Sequence, residues 1–365
     1  MTSSSRSSSP VPKVGVLYTL EAFLRTEAAS GVLLLLCAVI SMMLANMGSA
    51  WEVHAFWQSP WSHANSWLGG SHEGFVNDRL MVLFFFVAGL EIRRELHRGE
   101  LSEWRRAALP VVAAVGGMVV PALVYLAGAG APLTRAGWGV PMATDIAFAL
   151  GALSLIGKRV PPALRVLLLA LAVIDDLGAI VVLALFYPQA GHVHPTVYGV
   201  ALGLLLPPGK RADACLVRLH PWVAYGVMPA FALANAGVSL QSVSLRGASF
   251  SVTCAVAAGL VLGKPLGVLG TSWLAVRAGL ARLPLGLRWP ALWVLGLCAG
   301  VGLTMSLFVA RLAFPQQDLL AAAKLGVLLG SALMAVLAVL VGRAVLPREH
   351  LGARTADEAE ASTEL

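Results

Sequence analysis

The sequence predicts an all-α polytopic membrane protein of about ten transmembrane helices, organised as inverted three-helix repeats with two discontinuous helices. Three observations predict it. The 365 residues are 58% hydrophobic and only 12% charged, against about 25% charged in an ordinary soluble domain. Mean hydropathy is +0.79. Basic loops alternate with loops poor in Lys and Arg, and two apolar runs are broken by Gly and Pro at matching positions. The formal charge of +7 then reports which loops face the cytoplasm. It is not read as nucleic-acid binding.

Residues 1–27 are Ser-rich, then mildly amphipathic, and lack the ordered regions of a signal peptide. The first span is expected over 28–45. Trp51, Trp57, Trp61 and Trp67 come next in a loop placed at the membrane–water interface. The second span, 75–96, ends in Glu91-Ile92-Arg93-Arg94-Glu95, and the next loop carries Arg98, Arg105 and Arg106. The third span is 107–129. The fourth, 138–156, opens with Gly139 and Pro141 and carries Thr144 and Asp145. Lys158, Arg159 and Arg165 lead into the fifth, 164–187, which holds Asp175 and Asp176 near its centre.

A short apolar segment, 195–206, precedes Lys210, Arg211 and Arg218. About 12 residues rise only about 18 Å, so this segment is either tilted within the protein or re-entrant. The seventh span, 221–240, contains Asn235. The eighth, 250–276, contains Gly263-Lys264-Pro265-Leu266-Gly267 and is followed by Arg277, Arg282 and Arg288. The ninth, 291–314, is interrupted by Gly296, Gly300 and Gly302, and the tenth is 319–346. The tail, 347–365, is charged and expected to be disordered. With ten spans the positive-inside rule places both termini in the cytoplasm. Cys37, Cys215, Cys254 and Cys298 have no paired spacing, and three of them lie in apolar runs, so they read as small core residues rather than ligands.

The chemistry lies in the membrane charges. An ionised carboxylate at mid-span costs at least about 2.5 kcal/mol, so such residues mark function. Adjacent helical residues point about 100° apart. Asp175 and Asp176 therefore cannot face one partner together: one can meet a cation while the other faces a cavity. Lys264 lies at similar depth, and pairing it with either aspartate avoids an isolated buried charge. The broken spans are the middle members of two three-span groups, spans three to five and eight to ten. Such breaks point to a binding site at the midplane of an inverted repeat, where Asp145 can offset positive helix ends and Lys264 negative ones. A carboxylate site with a hydroxyl donor suits a hard cation such as Na⁺. Desolvation and a like charge favour the protonated acid, so protons and Na⁺ compete for the same oxygens.

These stretches resemble the NhaA family of sodium/proton antiporters. The motifs are Gly89-Leu90-Glu91 with Arg94-Glu95, Ala143-Thr144-Asp145-Ile146-Ala147-Phe148-Ala149-Leu150-Gly151, Ile174-Asp175-Asp176-Leu177-Gly178-Ala179-Ile180, His220-Pro221-Trp222-Val223-Ala224-Tyr225, Phe231-Ala232-Leu233-Ala234-Asn235-Ala236-Gly237-Val238, Gly263-Lys264-Pro265-Leu266-Gly267 and Gly302-Leu303-Thr304-Met305-Ser306. The resemblance implies an electrogenic, pH-regulated exchange of cytoplasmic Na⁺ or Li⁺ for external protons by alternating access, in a bacterial inner membrane. It implies that Asp176 is the exposed cation and proton carboxylate, with Na⁺ held at Asp176 and Asp175. Asp175 is paired with Lys264, and Asp145 with Thr144 supplies charge and ligands at crossed helix breaks. Glu91, Arg94 and Glu95 belong to a pH-responsive funnel, and His194 and His220 are further titrating candidates.

The implied division is a tail (1–27), panel helices (28–96), core repeat one (97–188), remaining panel helices (189–249), core repeat two (250–346) and a cytoplasmic tail (347–365). Two panel helices that family members usually carry after Tyr187 are missing. Loss of a pair preserves the sidedness of every later span. Leu216, Val217 and Arg218 stand where acidic and histidine residues often precede the His-Pro-Trp motif.

No cofactor is expected, and lipid, Na⁺, Li⁺ and H⁺ are the partners; a homodimer is left open. The chain is not an enzyme on this reading. An intramembrane aspartyl protease needs its two aspartates on different helices, and Asp175-Asp176-Leu177-Gly178-Ala179 lacks the third aspartate of a prenyl-transferring enzyme. A passive cation channel, or a partly inactive antiporter homologue, remains the alternative.

Overall fold

The computed structural model describes residues 14–48, 50–60, 70–187, 194–241 and 246–347. Trp61, Trp67, residues 1–13 and the tail beyond 347 lie outside them.

The described chain is helical almost throughout. Helix α1 runs Val14–Leu44 and so begins well upstream of the span edge expected at 28. No proline comes after Pro12 in this stretch, so nothing in the backbone chemistry stops the helix earlier. A short helix α2, Ala50–Gln58, is next. Helix α3 covers 72–98 with one wide π turn at Phe75–Leu80, and Ser71 caps its start by accepting from Gly74 N. Helix α4 is Trp104–Gly128.

Two half-helices come next. The first, α5, runs Pro132–Met142, and α6 is Ile146–Ile156; their axes differ by 51° across residues 143–145. Helix α7, Pro162–Phe186, carries the aspartate pair. Helix α8, Pro195–Leu205, is only 11 residues long. Helix α9 covers 210–235 with a π turn at Val223–Val227. Helix α10, Gly247–Arg277, has a π turn at Gly259–Gly263 just before Lys264. Both of these π turns precede a proline by two residues, Pro229 and Pro265. A proline has no N–H for the carbonyl four back, which loosens the ladder there. The second broken pair is α11, Trp289–Ala299, and α12, Leu303–Ala313, bent by 44°. Helix α13, Gln317–Val345, closes the described chain.

By length and apolarity, four helices among the described residues are long enough to cross a membrane, or six if each bent pair is one span. The expected ten is not reached on this measure. Helix α8 and the described apolar part of α1, Ala29–Leu44, are short, and α3 and α9 end in charged and polar residues.

Glycines set the close crossings. Gly199 and Gly203 of α8 face the backbone of Val82, Phe86 and Gly89 on α3. The short α8 thus lies against protein along its length. Gly116 of α4 and Gly267 of α10 meet backbone to backbone, and Gly31 of α1 meets Ala147 of α6. Without side chains between them, helices approach closely enough for dispersion to act over the whole crossing. The two broken pairs cross at their breaks, where Asp145 N donates to Val301 O over 2.7 Å.

Candidate functional site

The crossing leaves four half-helix ends pointing at one place. Each end exposes backbone groups that its own helix cannot pair. Asp145 serves the two positive ends. Its Oδ1 accepts from Phe148 N at 3.1 Å, capping α6. Its Oδ2 accepts from Thr304 N at 3.0 Å and Thr304 Oγ1 at 2.6 Å, capping α12. One carboxylate therefore offsets both partial positive charges.

The two negative ends meet donors. Lys264 Nζ donates to Met142 O at the end of α5. Thr144 Oγ1 lies 3.0 Å from Ala299 O at the end of α11 and 2.6 Å from Asp175 Oδ2. With a single hydroxyl proton, Thr144 shares it between these two acceptors.

Asp175 faces Lys264. Nζ and Oδ2 are 2.6 Å apart, and both side chains are fully buried. An ammonium in this setting needs its carboxylate, because a lone charge would have neither water nor counter-ion. Asp176, the next residue, points elsewhere. It lines a cavity of about 60 Å³ with Glu91, Thr144, Asp145, His220 and Thr304. Asp175 Oδ1 and Asp176 Oδ1 are buried and accept no hydrogen bond from any described residue.

At the mouth of this cavity His220 Nε2 stands 3.5 Å from Glu91 Oε1, joining α9 to α3. Arg94 is not in the cavity. It lines a separate groove with Arg93, His97, Arg98 and Asp213, where Arg98 pairs with Asp213 at 2.8 Å. Glu95 lies against Gly99 at the end of α3. His194 is remote from all of these. It caps α8 through Thr196 N and packs edge-on to Phe308, ring centres 5.6 Å apart. Its ring is held below the usual histidine range by burial, Asp78 opposing the shift. Among the described residues, no cluster of three or more His, Cys, Asp or Glu has the spacing of a metal site.

Sequence reasoning assigned no role to Thr304. It joins the two broken pairs through both its amide and its hydroxyl. The signal was its position just after Gly300 and Gly302, where a helix restarts and leaves amides to be capped. It also missed the pairing of Arg311 with Glu73, since nothing in the spacing of residues so far apart announces it.

The profile of the Na⁺/H⁺ antiporter 1 family matches residues 21–192 and 188–341. The chain is 46% identical over 440 residues to the Na(+)/H(+) antiporter NhaA 2 of Myxococcus xanthus, covering 95% of this chain and 94% of that protein. It is 43% identical over 376 residues to the Na(+)/H(+) antiporter NhaA of Citrobacter koseri, covering 87% and 96%. It is 46% identical over 368 residues to that of an Acidovorax species, covering 85% and 88%. The first alignment is longer than this chain of 365 residues, so the Myxococcus protein has residues with no counterpart here. The profile match divides at 188–192.

Proposed function

The chain belongs to the Na⁺/H⁺ antiporter 1 family, one of transporters and not enzymes, and on that basis we propose that it exchanges cytoplasmic Na⁺ or Li⁺ for external protons at Asp176. One observation carries the reading. Asp176 stands in a cavity with an unpaired oxygen, while its neighbour Asp175 is committed to Lys264. A carboxylate in that position holds either a proton or a cation, and one cannot enter until the other has left.

Na⁺ draws its ligands from Asp176 and Asp175, whose free oxygens are of the hard type that such a cation takes. As Na⁺ enters, Asp176 gives up its proton, and the exchange is electrogenic, the protons and Na⁺ not cancelling in charge. Asp145, Thr144 and Thr304 keep the half-helix ends neutral, so the crossing survives the change of charge. Glu91 and His220 at the cavity respond to pH; Arg94, Glu95 and His194 lie outside it.

The arrangement in the bacterial inner membrane obeys the positive-inside rule. Ten crossings put both termini in the cytoplasm, with 97–188 and 250–346 forming the moving core and 28–96 with 189–249 the panel.

Asp176→Asn tests the assignment. The amide keeps the shape but can neither release a proton nor neutralise a cation. In proteoliposomes with an imposed ΔpH, the wild type should exchange protons for Na⁺ and Li⁺ but not K⁺, and the folded variant should not exchange. Normal exchange by the variant removes Asp176 from the mechanism. Cation flux in the wild type without proton countertransport would favour a channel.

A further inference from the structure

The transport reading needs a route to Asp176 from each face, and the cavity holding Glu91 supplies one. At the opposite end of α3 lies a wider cavity of about 290 Å³, lined by His54, Gln58, Glu73, Asp318 and Lys324. One stripe of α3 joins the two: Glu73, Asn77, Met81, Ala88 and Glu91 recur at near-helical spacing.

The stripe is closed in the middle. Asn77 and Met81 are almost completely buried. Asn77 Oδ1 accepts from Asn235 Nδ2 at 2.8 Å, yet Asn77 Nδ2 and Asn235 Oδ1 find no described partner. These are polar groups of the kind that line a water path, and both side chains are buried. Beyond them Phe308 of α12 meets Phe85 at 5.4 Å and Phe231 at 6.2 Å between ring centres. Helix α12 carries Thr304, Phe308 and Arg311 at four- and three-residue steps, so one face holds a site residue, the aromatic plug and a cation.

That cation, Arg311, pairs with Glu73. Gln58 of α2 holds the other Glu73 oxygen at 2.6 Å. Glu73 is thus held from its own side by Gln58, and Arg311 is the contact from the broken-helix pair. The two side chains are 28% and 16% exposed, enough burial to weaken screening by salt. Any movement of α12 that takes Phe308 out of the path separates this pair.

We propose that the wider cavity is the mouth of the second access route to Asp176, and that the Arg311–Glu73 ion pair is the latch that holds this route shut. The latch rests on the transport reading but is read out without transport. Met81→Cys places a thiol in the closed part of the stripe. In sealed vesicles a charged, membrane-impermeant thiol reagent is added on the Glu73 face, and labelling above that of the chain with Met81 intact is measured.

With the pair intact the new thiol should stay protected. Arg311→Gln and Glu73→Gln should each raise its labelling rate about tenfold. The charge-swapped Glu73→Arg with Arg311→Glu should restore protection. If Arg311→Gln fails to insert, Gln58→Ala, which loosens Glu73 without removing a charge, should raise labelling in the same direction. Unchanged labelling in the neutral variants, or a swap that labels as fast as they do, overturns the latch. An active exchanger with unchanged labelling loses the latch alone; an inactive chain with the expected labelling loses the exchange reading alone.

Discussion

At the scale of the residue, two neighbouring aspartates do different work because one helical step turns the side chain by about 100°. Asp175 meets Lys264 and Thr144, and Asp176 meets the cavity. The pair of Asp175 and Lys264 makes a quantitative prediction. Removing either partner alone leaves a charge buried without its counter-ion, at a cost of about 3–5 kcal/mol. Asp175→Asn with Lys264→Ala together leaves neither charge, so the double variant should lose clearly less than the two single losses added. Melting temperatures in detergent for the wild type, both singles and the double measure this. Strictly additive losses would show that the two side chains do not depend on each other.

At the scale of the element, the helices are positioned by what they lack. A Cβ on Gly267 would run into the carbonyl of Gly116 on α4, whereas a Cβ on Gly270, one turn further along α10, meets nothing within 4 Å. Gly270→Ala should therefore leave stability unchanged or raise it by up to about 1 kcal/mol, the helix-propensity difference. Gly267→Ala should lower the melting temperature and the yield of folded protein, because backbone cannot yield as a flexible side chain can. Equal behaviour of the two alanines would mean that α4 and α10 do not cross as closely as described. The broken elements obey the same logic. Their interruptions cost hydrogen bonds, which side chains restore: Asp145 accepts from Phe148 N of its own half-helix and from Thr304 N of the other pair, Thr144 donates to Ala299 O, and Lys264 donates to Met142 O.

At the scale of the whole molecule, charge decides orientation and the crossing of the broken helices decides where the site lies. A reporter fused after residue 365 should be active on the cytoplasmic side. An extracytoplasmic reporter would remove one crossing from the ten, and α8, with its 11 residues, is the element that would become re-entrant. The stretch between Tyr187 and His194 bears on the same count. The family match divides there, and loss of a pair of helices leaves the sidedness of α9 and everything after it unchanged.

The membrane class, many of the apolar spans and the presence of two broken spans were legible in the sequence, although it set the first interruption at Gly139 and Pro141 and the structure bends at 143–145. Each of these is a property of a linear pattern: hydropathy, glycine and proline, or distance along a helix. Which aspartate takes Lys264 was not legible from the spacing of the residues, because a helix can be rotated about its axis without changing its sequence; only the family resemblance pointed to Asp175. The packing of helices settled that, by bringing α10 against α4 so that the long Lys264 side chain reaches Asp175 on α7 and Met142. It also put Thr304 onto Asp145, a contact between residues 159 apart, and Arg311 onto Glu73. It moved Arg94, Glu95 and His194 out of the cavity for the same reason. Contacts between distant residues are set by the packing of whole helices, and no local period encodes them.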